Sequence, residues 1–591
     1  MELNTVSKNI GLNLAKRSKP NKTSFDIRNS NITRWLNNLP RANIGATAKQ
    51  IYLILQETNT LDYPYKKRMQ FLDALQECIT SITDSMEKHY VGASLPLADK
   101  NQKIASLNKK LFSYMAMGYK IALEDAANSP QLFGKTTHLE ILAQRSICYI
   151  GKTLLASYQS YSQFPNLLWS ELNNIYFFSE KQKIQNKIID KTSIADEYSK
   201  ILLLSLASPS HLQHGESRKV FNTLGRWLTR PVLRPFTASD KANDCFIIDL
   251  SQARAPSSLS STLAEGRLNE SALRVIDTNE VSKNVAHNLK EKTLSNKVVS
   301  NINKAELSND LLQRLLITWD IKKKRNFPRS TKNEDVKLTL GLNAIHQYIS
   351  QKHQTKDSEK YASKYNNQSQ FTATDLSHNI NQTKENKEDV WNIIYRPETK
   401  NYFEKNSIDE NTVSNKEYKA DDWLIVNESK MGLSINNRDE LNNKVEVGEL
   451  VCISRNTKDK QSSANIGTIR WLRFNADESL QIGIEIFNKN IAAIGIRSSE
   501  KPLQCALLLP EMVQMKQPAF LVTGPATWTK GNKIRMNMRG KEVSAILGSP
   551  TQNTGLFSQF RFEIDNNADI ETEVASQTKN DAKKSDIWSL I

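Results

Sequence analysis

Cysteine is scarce in this chain. There are five in 591 residues, Cys78, Cys148, Cys245, Cys452 and Cys505, odd in number, far apart and without a Cys-x-x-Cys pair. That spacing argues against a disulfide framework and a cysteine-based zinc site, and it fits a reducing compartment. Long apolar runs are missing too. No window approaches the roughly 18 consecutive apolar residues that a membrane-spanning helix needs. The opening Met-Glu-Leu-Asn-Thr-Val-Ser-Lys lacks the basic-then-apolar order of a signal peptide. The expectation is a cytoplasmic, soluble protein. Catalytic signatures are absent as well: no Walker loop, no dinucleotide fingerprint, no Gly-x-Ser-x-Gly elbow and no kinase set. Val522-Thr-Gly-Pro525 reads as a turn. His211-Leu-Gln-His214 has a possible metal spacing, but no Cys, Asp or Glu partner can be assigned to it, and a surface loop is the simpler reading. His346 follows Ala344-Ile345 and reads as a packed histidine. No catalytic residue, metal or cofactor is expected, and the chain reads as a non-enzyme.

What is present is length and positive charge. The chain is long for one domain and suggests two to four. Its apolar fraction, 39%, is low for a wholly globular protein, so part of it should be loosely folded. The formal charge of +17 favours anionic partners. Solvated lysines scattered over the surface are the simpler account, since no dense Lys/Arg block dominates.

The pattern changes along the chain, and the architecture expected is α+β and multidomain. Residues 1–30 are polar, basic and aperiodic, and read as disordered. Residues 31–235 read as an antiparallel helical bundle. Leu72, Leu75, Ile79, Ile82 and Met86 recur at three- and four-residue steps just after Pro64. Ile104, Leu107, Leu111 and Met115 repeat the seam, as do Leu139, Leu142, Ile147 and Ile150. Residues 236–320 are mixed, a connector or a small degenerate β-domain, with strands at Cys245–Leu250 and Leu273–Ile276 and helices at Asn279–Leu289 and Leu307–Trp319. Residues 350–419 are an insertion rich in Asn, Lys, Gln, Ser, Thr and Glu that cannot bury enough surface to order itself, with a short ordered piece at Trp391–Tyr395. Short β-branched and aromatic segments then predict an antiparallel barrel with appended strands: Trp423–Val426, Gly432–Ile435, Leu450–Ser454, Gly467–Phe474 and Leu480–Phe487. Further strands at Phe520–Val522, Lys533–Met538, Glu542–Leu547 and Gln559–Ile564 make residues 498–565 a β extension. Residues 566–591 are a polar tail.

The segment with chemical promise is Asn427-Glu-Ser429-Lys-Met-Gly432, set between two strands. It offers an amide, a hydroxyl and a glycine that permits φ > 0 and close approach. Gly448-Glu-Leu-Val451, Ile466-Gly-Thr-Ile-Arg-Trp471 and Ile482-Gly-Ile-Glu-Ile-Phe487 come after it. Upstream, Arg325-Asn-Phe-Pro-Arg329 precedes Val336-Lys-Leu-Thr-Leu340. These pieces, in this order, resemble the PilZ domain, the bacterial receptor module for cyclic di-GMP. Its motifs are an Arg-x-x-x-Arg arm, a first strand and an [Asp/Asn]-x-Ser-x-x-Gly strand-turn-strand. The resemblance covers residues 321–349 and 420–497. It departs from the pattern in that nearly a hundred residues separate the motifs. A barrel tolerates that, because closure entropy grows only logarithmically with loop length.

The resemblance implies a cyclic di-GMP receptor or effector of bacterial second-messenger signalling, with Arg325, Arg329, Asn427, Ser429 and Gly432 as ligand-binding residues. Arginine's planar fork suits phosphate and the O6/N7 edge of guanine, and it stacks on bases. The arm would fold onto the ligand and alter docking of the helical region, which is expected to hold a protein partner. The competing reading is a scaffold or chaperone-like interaction protein with a degenerate, ligand-free barrel. Asn427 and Ser429 then form an ordinary turn, and Arg325 and Arg329 belong to a solvated basic linker with Lys322, Lys323 and Lys324. A nucleic-acid binder is disfavoured, because Trp423 and Trp471 sit in strand patterns that read as core.

Overall fold

The structure, a computed structural model, describes residues 5–6, 9–93, 95–130, 135–228, 232–242, 245–263, 269–294, 307–320, 328–354, 420–438, 441, 443–455, 464–475, 477, 479–488, 491–511, 518–538 and 541–565. The architecture is α+β. The described residues fall into two compact units, one ending before Arg325 and one beginning there.

Among the described residues the first unit opens with eight helices: α1 Asn29–Asn37, α2 Ile44–Asn59, α3 Tyr65–Glu87, α4 Asp99–Asn128, α5 Lys135–Gln159, α6 Leu167–Lys181, α7 Ile194–Leu206 and α8 Glu216–Trp227. Pro64 stands at the start of α3, where its missing N–H costs no helical hydrogen bond. The seam from Leu72 to Met86 and the one from Ile104 to Met115 are buried, and α4 packs between α3 and α5.

The N-terminal stretch does not show its expected disorder. Ile10, Leu12 and Leu14 are buried in the helical core. The Asn13 amide donates to the Glu171 carboxylate (3.1 Å), and Arg17 pairs with Asp125. A period-two run of three apolar residues is too short to stand out in a polar context, yet it is enough to lay an extended segment against a helix pair.

Residues 233–276 are likewise more than a connector. Four short antiparallel strands form a sheet in the order Leu233–Pro235, Leu273–Ile276, Phe246–Asp249, Ser257–Ser258. Helices Asn279–Leu294 and Asn309–Thr318 come next. Phe246, Ile248, Ile276, Val281 and Leu315 join the same core as the helices, and the Trp319 indole donates to the Leu203 carbonyl (3.1 Å).

The second unit holds two closed six-stranded barrels. The first comprises β1 Ser330–Leu340, β2 Asp421–Ser429, β3 Gly432–Asn437, β4 Leu450–Arg455, β5 Ala464–Phe474 and β6 Leu480–Asn488, paired antiparallel in the cyclic order β2-β3-β6-β5-β4-β1. Apolar side chains at alternate positions fill it: Val336 and Leu338 on β1, Trp423 and Ile425 on β2, Leu433 and Ile435 on β3, Ile482 and Ile484 on β6, with Ser434 and Gly483 between them also buried. This is the period that a filled small barrel imposes. The helix Leu342–Gln354 comes after β1 and reaches into the stretch read as insertion; residues 355–419, with Trp391–Tyr395, and the tail 566–591 lie outside the described residues.

The strands read as appended instead close a second barrel. They are β7 Ala492–Arg497, β8 Gln504–Leu509, β9 Phe520–Thr523, β10 Lys533–Met538, β11 Lys541–Asn553 and β12 Ser558–Ile564, in the order β7-β8-β9-β12-β11-β10. β7 pairs only within this barrel, so residues 492–497 leave the first one. A strand's membership is decided by its partners, which alternation along the sequence does not identify. Ile345 and Ile349 of the helix pack with Leu450, Cys452 and Ile466 of the first barrel and with Leu507, Phe520 and Val522 of the second. His346 sits there as a packed histidine, its Nε2 3.1 Å from the Ile494 carbonyl.

Candidate functional site

The site is best read from the ladder register of the first barrel, because directly opposed residues in an antiparallel pair share a face. Asn427 of β2 lies opposite Thr331 of β1 and Ser434 of β3. Ser434 lies opposite Gly483 of β6, and Gly483 opposite Trp471 of β5. One row therefore crosses five strands: Thr331, Asn427, Ser434, Gly483, Trp471. It alternates with the inward-facing Leu433, Ile435, Ile482 and Ile484, so it lies on the outer face of the sheet; Thr331 is exposed there and Asn427 and Trp471 are half-buried, while Ser434 and Gly483 between them are covered. At about 4.8 Å per strand the row is roughly 19 Å long.

Two β-bulges set this row. The register shifts between Ile425 and Asn427 on β2 and between Ile469 and Trp471 on β5. A bulge inserts one residue and re-aims the side chains beyond it. On β5 it carries Trp471 off the core face of Ile469 and onto the outer face. The expectation that Trp471 is core is therefore corrected: it is half-buried, whereas Trp423 is fully buried. The indole lies across Gly483, and the Arg473 guanidinium stands 5.6 Å from its ring centre.

The motif turn is pinned locally. Ser429 is opposite Gly432, and its hydroxyl donates to the Gly432 carbonyl (3.2 Å). Gly432 does not take a positive φ, contrary to the sequence reading. Its role is close approach alone: a Cβ there would come within 3.1 Å of the Ile484 carbonyl oxygen. Glu485, opposite Gly432 on β6, takes a 2.5 Å hydrogen bond from Arg470 Nε.

Arg329 is exposed and immediately precedes β1, whose first pair is Ser330 with Glu428. The Ser330 hydroxyl donates weakly to the Glu428 carbonyl (3.4 Å) across 98 residues of sequence. Pairing thus brings Arg329 to the strand end that carries Asn427, Ser429 and Gly432. Arg325 lies outside the described residues. Sequence reasoning misses Trp471, Ser434 and Gly483 as members of the same row. The Ile-Arg-Trp of β5 and the glycine at 483 are visible in the sequence, but not the register that joins them.

The two histidines sit in different surroundings. His211 is exposed, while His214 packs edge-on against Tyr161, and burial lowers its pKa to about 4. Among the described residues no group of three or more His, Cys, Asp or Glu is arranged to hold a metal ion. Among the same residues no helix is long and apolar enough to cross a membrane.

Comparison with known proteins agrees with this geometry. Residues 30–235 match the N-terminal domain of the cyclic-di-GMP receptor FimW, residues 245–492 its middle PilZ domain and residues 491–564 its C-terminal β-barrel domain. The last boundary coincides with the start of the second barrel. The middle match begins inside the four-stranded sheet, which here packs with the helices instead. Among curated proteins, the cyclic-di-GMP receptor FimW of Pseudomonas aeruginosa is 24% identical, over 94% of each chain. No solved structure matches. The chain belongs to the PilZ domain family, with a helical domain ahead of the PilZ barrel and a second barrel after it.

Proposed function

We propose that this protein is a receptor for cyclic di-GMP that acts by binding, without catalysis. The observation that carries the reading is the register of β1 on β2, which sets Arg329 beside Asn427, Ser429 and Gly432 although the sequence separates them widely. The ligand bears two phosphodiester charges and two guanines. Arg325 and Arg329 are assigned to its phosphates and guanine edges, where the guanidinium fork offers paired donors. Asn427 and Ser429 are assigned to guanine, and Gly432 to keeping the turn clear. Trp471, flanked by Arg473, supplies an aromatic surface on which a base can stack. The family match supports the same ligand, since the relative it names is a cyclic-di-GMP receptor. The proposal carries with it a cytoplasmic setting and a protein partner for the helical unit.

Calorimetric titration of the full chain with cyclic di-GMP tests this, alongside the Arg325→Ala, Arg329→Ala double variant. Saturable binding that the variant loses is the expected result. Absence of binding by folded wild type would move the protein to the class of scaffolds with a ligand-free barrel.

A further inference from the structure

The middle residue of the Asn-x-Ser motif is the unusual one. Glu428 lies opposite Leu433, which is buried, so it falls on the inward face of β2, at the end of the barrel. An apolar side chain is the ordinary occupant of such a position. Arg455 at the end of β4 has the same phase: it lies opposite Val336, and Val451 and Ile453 of its strand are buried. The two meet at the barrel mouth, Arg455 Nη2 donating to Glu428 Oε1 at 2.6 Å. Both side chains are about four-fifths buried. β1 runs between their strands and adds Lys332, 3.8 Å from Glu428, and Glu334, 3.8 Å from Arg455.

We infer that Glu428 and Arg455 are a positioning pair for the ligand site, holding the first residues of β1 and the Asn427–Ser429 segment in one fixed relation. Glu428 is flanked on either side by the two motif residues, and its backbone pairs with Ser330, next to Arg329. Arg455 reaches it from the strand beyond β1. The ion pair therefore ties three adjacent strands at the point where the arginine arm begins. A charge pair here is directional, which an apolar plug would not be, and removing one partner leaves the other charge half-desolvated. The side chains touch each other and not the ligand surface, so they act through Asn427, Ser429 and Arg329.

The inference rests on the receptor reading, and the test separates the two. Cyclic di-GMP affinity is measured on the full chain for wild type, Glu428→Leu, Arg455→Met and the full charge swap Glu428→Arg, Arg455→Glu, Lys332→Glu, Glu334→Lys, which inverts the two neighbouring charges along with the pair, with thermal midpoints recorded for each. The expected result is affinity weakened about fivefold or more in each single variant, with restoration in the swap. Amide exchange at 330–334 in the free protein should quicken in the singles and recover in the swap. Glu428→Leu puts an apolar side chain on an inward-facing position, and the thermal midpoint reports whether the barrel stays folded. Single variants that bind like wild type, or a swap that restores the melting midpoint but not affinity, would overturn the inference and leave the receptor reading standing. If wild type binds no cyclic di-GMP, both fall together.

Discussion

The indole of Trp471 lies against Gly483, so closely that a Cβ on residue 483 would overlap its ring nitrogen. The two residues are directly opposed on β5 and β6. Glycine there leaves room for an aromatic side chain to rest on the sheet, where it stays half-buried.

Gly483→Ala should therefore lift the indole and disorder the platform, while the inward residues Ile482 and Ile484 keep the barrel closed. Stacking of a base on an aromatic side chain is worth roughly 1–3 kcal/mol. The expected result is cyclic di-GMP affinity lowered about tenfold for Gly483→Ala and at least as much for Trp471→Ala, with Trp471→Phe less affected. Calorimetry measures the affinity. Near-ultraviolet circular dichroism reports whether the indole has moved.

The bulges decide how much of this surface is legible in the sequence. Asn427, Ser429 and Gly432 are legible because residue types at fixed spacing suffice to find them. The strand segments are legible because inward residues alternate with outward ones. Trp471 is not, because strict alternation from Ile469 puts it in the core, and a single extra residue at Arg470 reverses the phase. Ala492–Arg497 falls to the wrong barrel for a related reason. Its alternation is sound, but its partners are Gln504–Leu509 and Lys533–Met538, fixed by pairing at a distance.

The shared core between the barrels predicts joint stability. Ile349 is buried against side chains of both. Ile349→Ala leaves a cavity that neither barrel alone can fill, and such truncations cost about 2–5 kcal/mol. Hydrogen exchange should quicken together at Leu450–Ser454 and at Gln504–Leu509. Quickening confined to one barrel would mean that the two open independently.

Acidity should stabilise the second unit through Glu449. Burial, reinforced by the neighbouring Glu446 charge, raises its pKa from the ordinary 4.5 to about 7. Burial raises Glu446 as well, with Lys444 opposing it. The folded state thus holds protons that the unfolded state releases. Stability is greatest below about pH 4.5 as far as Glu449 is concerned, and it declines as pH rises through 7. The Glu449 contribution is at most roughly 3 kcal/mol. Glu449→Gln should flatten this decline. Denaturant midpoints of wild type and variant, taken at intervals across that window, check the sign.

The N-terminal segment should be held by one buried charge pair. Lys120 Nζ lies 2.5 Å from Glu171 Oε1 and 3.4 Å from the Asn13 carbonyl, and Asn13 donates its own amide to the same carboxylate. Lys120 and Glu171 are almost wholly buried. Glu171→Gln keeps the shape but strands the ammonium without a counter-charge, which costs about 3–5 kcal/mol when a buried pair is broken from one side. Replacing both, as Lys120→Met with Glu171→Gln, removes the charge to be solvated and should recover most of the loss. The thermal midpoint of the helical unit reads the stability, and amide exchange at Ile10–Leu14 reads whether the segment stays seated. Equal destabilisation by the single and the double variant would show that packing of Leu12, and not the ion pair, keeps the segment in place.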